Sequence, residues 1–200
     1  MGKKFYGAKT MDGREFTFTS WQNCKEFTKG KSNILFKGFD TYNDLQEWFN
    51  NKKIGHTQID SRSIQIYVDG SYNNRTGKAG WGWVAVKEDK VIDFQYGECK
   101  DAAISRQIDG ELQAAIEAMS YFADEDIIIV YDYAGIALFA TGDWTPRTKI
   151  SVDYVNYIKN FVDLDRIIFS KIAGHSGNEW NDMADTLAKK GCGIKTKEML

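Results

Sequence analysis

Four carboxylates occupy positions that suggest chemistry beyond ordinary solvation. The stretch "IQIYVDGSYN", residues 64–73, carries an apolar run into Asp69, and five of the six residues from Ile64 to Asp69 suit a buried strand. "DIIIVYD", residues 126–132, likewise ends on Asp132, directly before a helix. In sheets of this kind ligands and catalytic groups gather at strand ends. Glu111 opens the helix "GELQAAIEAMSYFA", where a carboxylate also relieves the helix dipole. In the last helix Met183, Ala184, Leu187 and Ala188 form the packing face, so Asn181 and Asp185, one turn apart, share a different one. Close carboxylates repel one another and are costly to ionise together unless a cation sits between them. Hard divalent ions supply that cation. Asp69, Glu111, Asp132 and Asp185 would suit two Mg²⁺ ions roughly 3.5–4 Å apart, one activating water and one stabilising the leaving oxygen of a phosphodiester.

Two other motif readings fail. "GSYNNRTGK" places six residues between Gly70 and Gly77 where a phosphate loop has four, and Ala79 stands where Ser or Thr would bind the metal. An EF-hand counted from Asp69 needs glycine where Asn74 lies and glutamate where Gly80 lies.

The elements that would position these groups divide the chain in two. In front, "KKFYGAK" and "EFTFTSW" are expected as strands joined by a turn at Met11-Asp12-Gly13. A short helix with Ser20 as N-cap and Gly30 as terminator follows, then a strand "NILFKGF" and a helix capped by Thr41. That is a small ββαβα domain over residues 1–51. Residues 52–61 are polar and lack periodicity, as in a linker. From residue 62 to 200 the order is regular. Ile64–Val68, "AGWGWVAVK" and "KVIDFQYGEC" are expected as an antiparallel meander, followed by the helix with Leu112, Ala115, Ile116, Met119 and Phe122 on one face. "DIIIVYD" fits a strand covered on both sides, "YAGIALFAT" and "VDYVNYIKNFV" helices, "RIIFSKIA" a fifth strand and "NEWNDMADTLAKKG" a last helix. The fold class is α/β: a five-stranded mixed sheet with helices on both faces, preceded by the small domain.

Composition limits the alternatives. With 200 residues, 42% hydrophobic and 14% aromatic, the chain can bury a sizeable core. No stretch approaches the roughly 18 apolar residues of a membrane span, and "MGKKFYGAKT" lacks the apolar core of a secretory signal. Cys24, Cys99 and Cys192 are odd in number and widely spaced, so neither a zinc site nor a disulfide framework is expected, and a cytoplasmic location is. Residues 1–60 hold ten Lys/Arg against seven Asp/Glu, and residues 61–200 sixteen against twenty-one. A polyanion-binding front attached to a carboxylate-rich catalytic part would produce that asymmetry, as would chance variation in solvated charge.

"YVDGSY", "GELQAA", "VYDYAGI" and "AGHSGNEWNDMADTLAKK" resemble, in order, the four motifs of type I ribonuclease H, over roughly residues 62–192. The resemblance implies metal-dependent hydrolysis of the RNA strand of RNA/DNA hybrids, leaving 5′-phosphate and 3′-hydroxyl ends. It implies Mg²⁺, with Mn²⁺ as the alternative ion, and maps the four metal ligands to Asp69, Glu111, Asp132 and Asp185. His175 in "AGHSG" matches the histidine of a loop associated with proton transfer and product departure, and Asn181 the polar position one turn before the last aspartate. Glu179 and Asp182 are then solvated helix charges. "SRQIDGE" departs from the pattern. Related enzymes often carry asparagine before the glutamate to read the RNA 2′-hydroxyl, whereas Arg106 and Gln107 occur here in an unsettled register.

Substrate grip is a second departure. Some members carry a lysine- and tryptophan-rich protrusion where this chain has "TGDWTPRTKISVDYVNY", with only Arg147 and Lys149 basic. The front domain resembles the small hybrid-binding module found in many cellular type I enzymes and in a plant-virus inclusion protein. By that match Tyr6, Trp21, Phe36 and Lys37 contact the duplex, the aromatics on deoxyribose and Lys37 on phosphate, unless Trp21 and Phe36 instead form a small core. Gly38 replaces a second lysine common in the module. The expected partner is an RNA/DNA hybrid, with no membrane and no obligate protein partner. Two other functions fit part of the pattern: a non-catalytic nucleic-acid-binding protein, and a carboxylate-dependent DNA nuclease or transposase on the same fold.

Overall fold

A computed structural model of the chain describes residues 3–10, 14–31, 34–50, 63–101, 104–172 and 177–196. The chain divides into two compact units, Met1–Gln58 and Ile59–Leu200. The expected turn at Met11-Asp12-Gly13 and the linker fall outside the described residues, as does His175. Among the described residues no helix is long and apolar enough to cross a membrane.

The first unit contains β1 (Phe5–Thr10), β2 (Glu15–Phe18), α1 (Trp21–Thr28), β3 (Ile34–Phe39) and α2 (Tyr42–Asn50). Its sheet is antiparallel, in the order β2-β1-β3. Phe39, Leu45, Trp48 and Phe49 form the core, with Phe5 and Leu35 packed against it. Thr41 caps α2, its Oγ1 accepting from the Asp44 amide while Asp44 Oδ2 accepts from the Thr41 amide. Ser20 precedes α1 in extended backbone, but its side chain makes no capping bond.

The second unit contains β4 (Ile64–Asn73), β5 (Lys78–Lys87), β6 (Lys90–Glu98), α3 (Gln107–Tyr121), β7 (Ile127–Tyr131), α4 (Gly135–Ala140), α5 (Lys149–Phe161), a 3₁₀ turn at Leu164–Arg166, β8 (Ile167–Lys171) and α6 (Glu179–Gly191). The strand order is β6-β5-β4-β7-β8, with β4 antiparallel to β5 and parallel to β7. Alternation along the strands sorts the core into two layers. Ile66, Val68, Trp83, Ile129 and Tyr131 face α3, α4 and α5, whereas Tyr67, Val84, Val86, Ile128 and Val130 face Ala184 and Leu187 of α6.

Two boundaries differ from the sequence reading. The strand expected to close at Asp69 continues to Asn73, because β5 keeps pairing with it through Asn73 opposite Lys78. The helix expected to open at Glu111 begins at Gln107, so Glu111 lies beyond its first turn and Asp109 is the acidic residue nearest the positive end.

Candidate active site

Asp69 owes its position to a mismatch in strand length. β7 pairs with β4 from Ile127 beside Ile64 to Val130 beside Tyr67 and then stops, while β4 runs on. Two residues further in that register Asp69 stands level with Asp132, the first residue after Tyr131 and the end of β7. By alternation from Tyr67, Asp69 faces the α6 side. Across the sheet its partner is Gly82, where an added Cβ would lie 2.6 Å from the Ala188 amide nitrogen. The missing side chain at Gly82 therefore lets α6 settle beside Asp69, and Asp185 comes with it. On the other face a Cβ on Gly70 would fall 2.3 Å from both the Gln107 carbonyl oxygen and the Glu111 nitrogen. That contact seats the first turns of α3 on β4 and carries Glu111 to the strand beside Asp69.

The electrostatics show that the carboxylates gather. Burial is the largest influence on Asp69, followed by the charges of Asp132 and Asp185, and its carboxyl is pushed up to about 7. The Gly70 amide, donating to Oδ1 at 2.7 Å, and a side-chain hydrogen bond with Glu111 ease part of that cost. Burial also drives Glu111 well above the usual carboxylate range, with Asp69 and Asp132 adding to it. Glu111 Oε2 and Asn181 Oδ1 are buried without a hydrogen-bond partner. Asp185 differs, since Lys189 pairs with it one turn along α6. Glu179 and Asp182 are exposed.

One turn before Glu111, Arg106 and Gln107 are exposed at the start of α3. Arg106 adopts φ +58°, a region that favours glycine, and its guanidinium lies 5.8 Å from the centroid of the Tyr72 ring. Tyr133 is raised by burial and then by Glu111, and its ring meets Trp144 edge-on at 6.4 Å between centroids. Sequence reasoning missed Gly82, the contact at Gly70, Lys189 and Tyr133. The "GWGW" and "DGS" glycines were the available signal for the first two.

In the first unit Tyr6, Trp21 and Phe36 stand together. Trp21 is 5.6 Å from Tyr6 and 5.9 Å from Phe36 between ring centroids. Trp21 and Phe36 are 45% and 48% exposed, so the core reading for them does not hold; the core lies with Phe39, Leu45, Trp48 and Phe49. Lys37 Nζ is 5.6 Å from the Phe39 ring centroid. A side chain at Gly38 would meet Lys3 Cγ at 3.0 Å, so Lys3 covers the position where the module's second lysine is absent.

Residues 61–193 match the family described as RNase H. The chain belongs to the ribonuclease H family. Residues 13–49 match a second family, described as Ribonuclease H1 N-terminal domain. The chain is similar to the Ribonuclease H of Chlorobium limicola, 26% identical over 142 residues that span 64% of this chain and 94% of that protein. The Ribonuclease H of Prosthecochloris aestuarii is 28% identical over 152 residues, again 64% and 94%. RNase H1 of the halophilic archaeon Halobacterium salinarum shares the fold, with a TM-score of 0.52 and 21% identity over 64% of this chain and 96% of that one.

With the family come hydrolysis of the RNA strand of RNA/DNA hybrids and dependence on a divalent metal. Among the described residues no three Asp, Glu, His or Cys side chains stand close enough to hold one ion as placed. The donor chemistry nevertheless fits. The set is purely carboxylate oxygen, two members are held above their usual range by burial and mutual repulsion, and one oxygen is orphaned. A hard cation would relieve all three.

Proposed function

We propose that this ribonuclease H cuts hybrids with Asp69, Glu111, Asp132 and Asp185 holding two Mg²⁺ ions, Mn²⁺ being the alternative. The carrying observation is the buried pair Asp69 and Glu111, both held above the carboxylate range with no cation partner among the described residues. A protein that only bound nucleic acid would gain nothing from burying groups that repel phosphate. Bound there, the ions would activate water for in-line attack and stabilise the leaving 3′-oxygen, so that products carry 5′-phosphate and 3′-hydroxyl ends. Arg106, Gln107 and Asn181 line the substrate side, where contact with the 2′-hydroxyl distinguishes RNA from DNA. His175 moves a proton and assists product departure. The front unit grips the duplex through the exposed Trp21 and Phe36 and the half-buried Tyr6 beside them, with Lys37 neutralising phosphate.

Labelled RNA/DNA, RNA/RNA and DNA/DNA duplexes incubated with Mg²⁺ or with EDTA test the proposal. Cleavage confined to the RNA strand of the hybrid, and only with Mg²⁺, is the expected result. Binding without cleavage would make the protein a hybrid binder, and cleavage of DNA/DNA would make it a DNA nuclease.

A further inference from the structure

The four site carboxylates are not electrostatically equivalent. Among the described residues one cation, Lys189, forms an ion pair with any of them, and it pairs with Asp185 alone. Asp69 and Glu111 sit deep beside β4, 8% and 6% exposed, whereas the Asp185 and Lys189 side chains are 27% and 40% exposed. The i to i+4 spacing on α6 keeps the ammonium group within reach of Asp185 whatever the state of the other three.

We propose that Lys189 is a built-in counter-ion that makes the two metal positions unequal. An ion that draws on Asp185 must displace the ammonium group, while an ion held through Asp69, Glu111 and Asp132 displaces nothing. The lysine can give way because its charge sits on a flexible, hydrated stem, which a planar, bidentate partner would not allow as readily. Lys189 is thus a positioning residue acting through Asp185. It sets the order in which the carboxylates are neutralised and leaves a mobile positive charge at the mouth of the site once Asp185 turns to a metal. This inference rests on the metal-binding reading of the four carboxylates.

The test is a Mn²⁺ titration of the full chain without substrate, with free Mn²⁺ followed by electron paramagnetic resonance. The Asp185-dependent part of binding is the difference between wild type and Asp185→Asn. Lys189→Gln should strengthen that part about two- to five-fold, the range for a partly exposed ion pair. Lys189→Arg should weaken it or leave it as in the wild type, because the guanidinium holds Asp185 at least as firmly. In the Asp185→Asn background Lys189→Gln should have no effect, which a general change in charge or stability would not reproduce. A Lys189→Gln isotherm superimposed on the wild type, or tightening that survives Asp185→Asn, overturns the inference while leaving the metal site intact. Asp69→Asn should abolish the tightest binding, and if it binds Mn²⁺ as the wild type does, the metal reading and this inference fail together.

Discussion

The two units carry their working residues in opposite ways. In the first, the solvent-facing Trp21 and Phe36 form an aromatic cluster with the half-buried Tyr6, and its groups lose nothing by waiting for a ligand. In the second, Asp69 and Glu111 are buried, mutually repelling and incompletely hydrogen-bonded. Recognition of a polyanionic duplex can be built on an ordinary surface because its energy comes from released counterions and contact area. Chemistry on phosphate needs charge held in a low-dielectric site, and that arrangement costs stability until a cation arrives. The first unit should therefore govern affinity and the second turnover.

The largest expected effect lies in the second unit. Asp69→Asn and Asp132→Asn should each lower hydrolysis by about 10³-fold or more while hybrid binding in the same buffer stays nearly unchanged, since several kcal/mol of transition-state stabilisation depends on the ligands. Parallel loss of affinity and activity would erase the division of labour. His175→Ala should slow turnover by roughly 10–10²-fold without abolishing it, because a proton carrier assists a metal-driven reaction. Single-turnover rates check this, and complete inactivity with an intact fold would make His175 a ligand or a structural residue. Removing residues 1–58 should raise KM by about tenfold or more at moderate salt and leave kcat close to wild type. A change in kcat at constant KM would break the comparison from the other side. The smallest effect sharpens it. Trp21→Ala and Lys37→Ala should each reproduce part of that affinity loss, and only Lys37→Ala should flatten the salt dependence, by roughly one unit of log–log slope.

Much of this architecture was legible in the sequence because periodicity and residue type report local structure directly. The apolar runs of β4 and β7, the turn residues of the meander and the Asn181–Asp185 spacing all survive in the fold. What was not legible depends on partners distant in sequence. Nothing in "DGSYN" says that β5 will extend the strand past Asp69, since that follows from pairing with Lys78–Gly82. The start of α3 was misplaced because Gln107 and Ile108 carry no capping signal, and Arg106 enters the helix through a backbone conformation that its residue type does not favour. The exposure of Trp21 and Phe36 was open until the core proved to be filled by Phe39, Leu45, Trp48 and Phe49. The close approach of α6 to β5 was likewise hidden in a glycine whose meaning only the facing helix reveals.

The central claim is that the buried carboxylates await a cation, and thermal stability against pH tests it most directly. The Asp69 carboxyl sits at about 7 in the folded chain, above roughly 3.9 when unfolded, so the folded state retains a proton the unfolded chain releases. That stabilising contribution is full below about pH 4 and is lost as pH rises through about 7, a change on the order of a few kcal/mol. In EDTA the full-length protein should therefore melt at progressively lower temperature between pH 5 and pH 8, and Mg²⁺ should restore the loss at pH 8. Asp69→Asn should lose the Asp69 share of the pH dependence, keeping that of Glu111, and should respond weakly to Mg²⁺. Equal melting curves for wild type and Asp69→Asn across that range, with no restoration by Mg²⁺, would contradict the account.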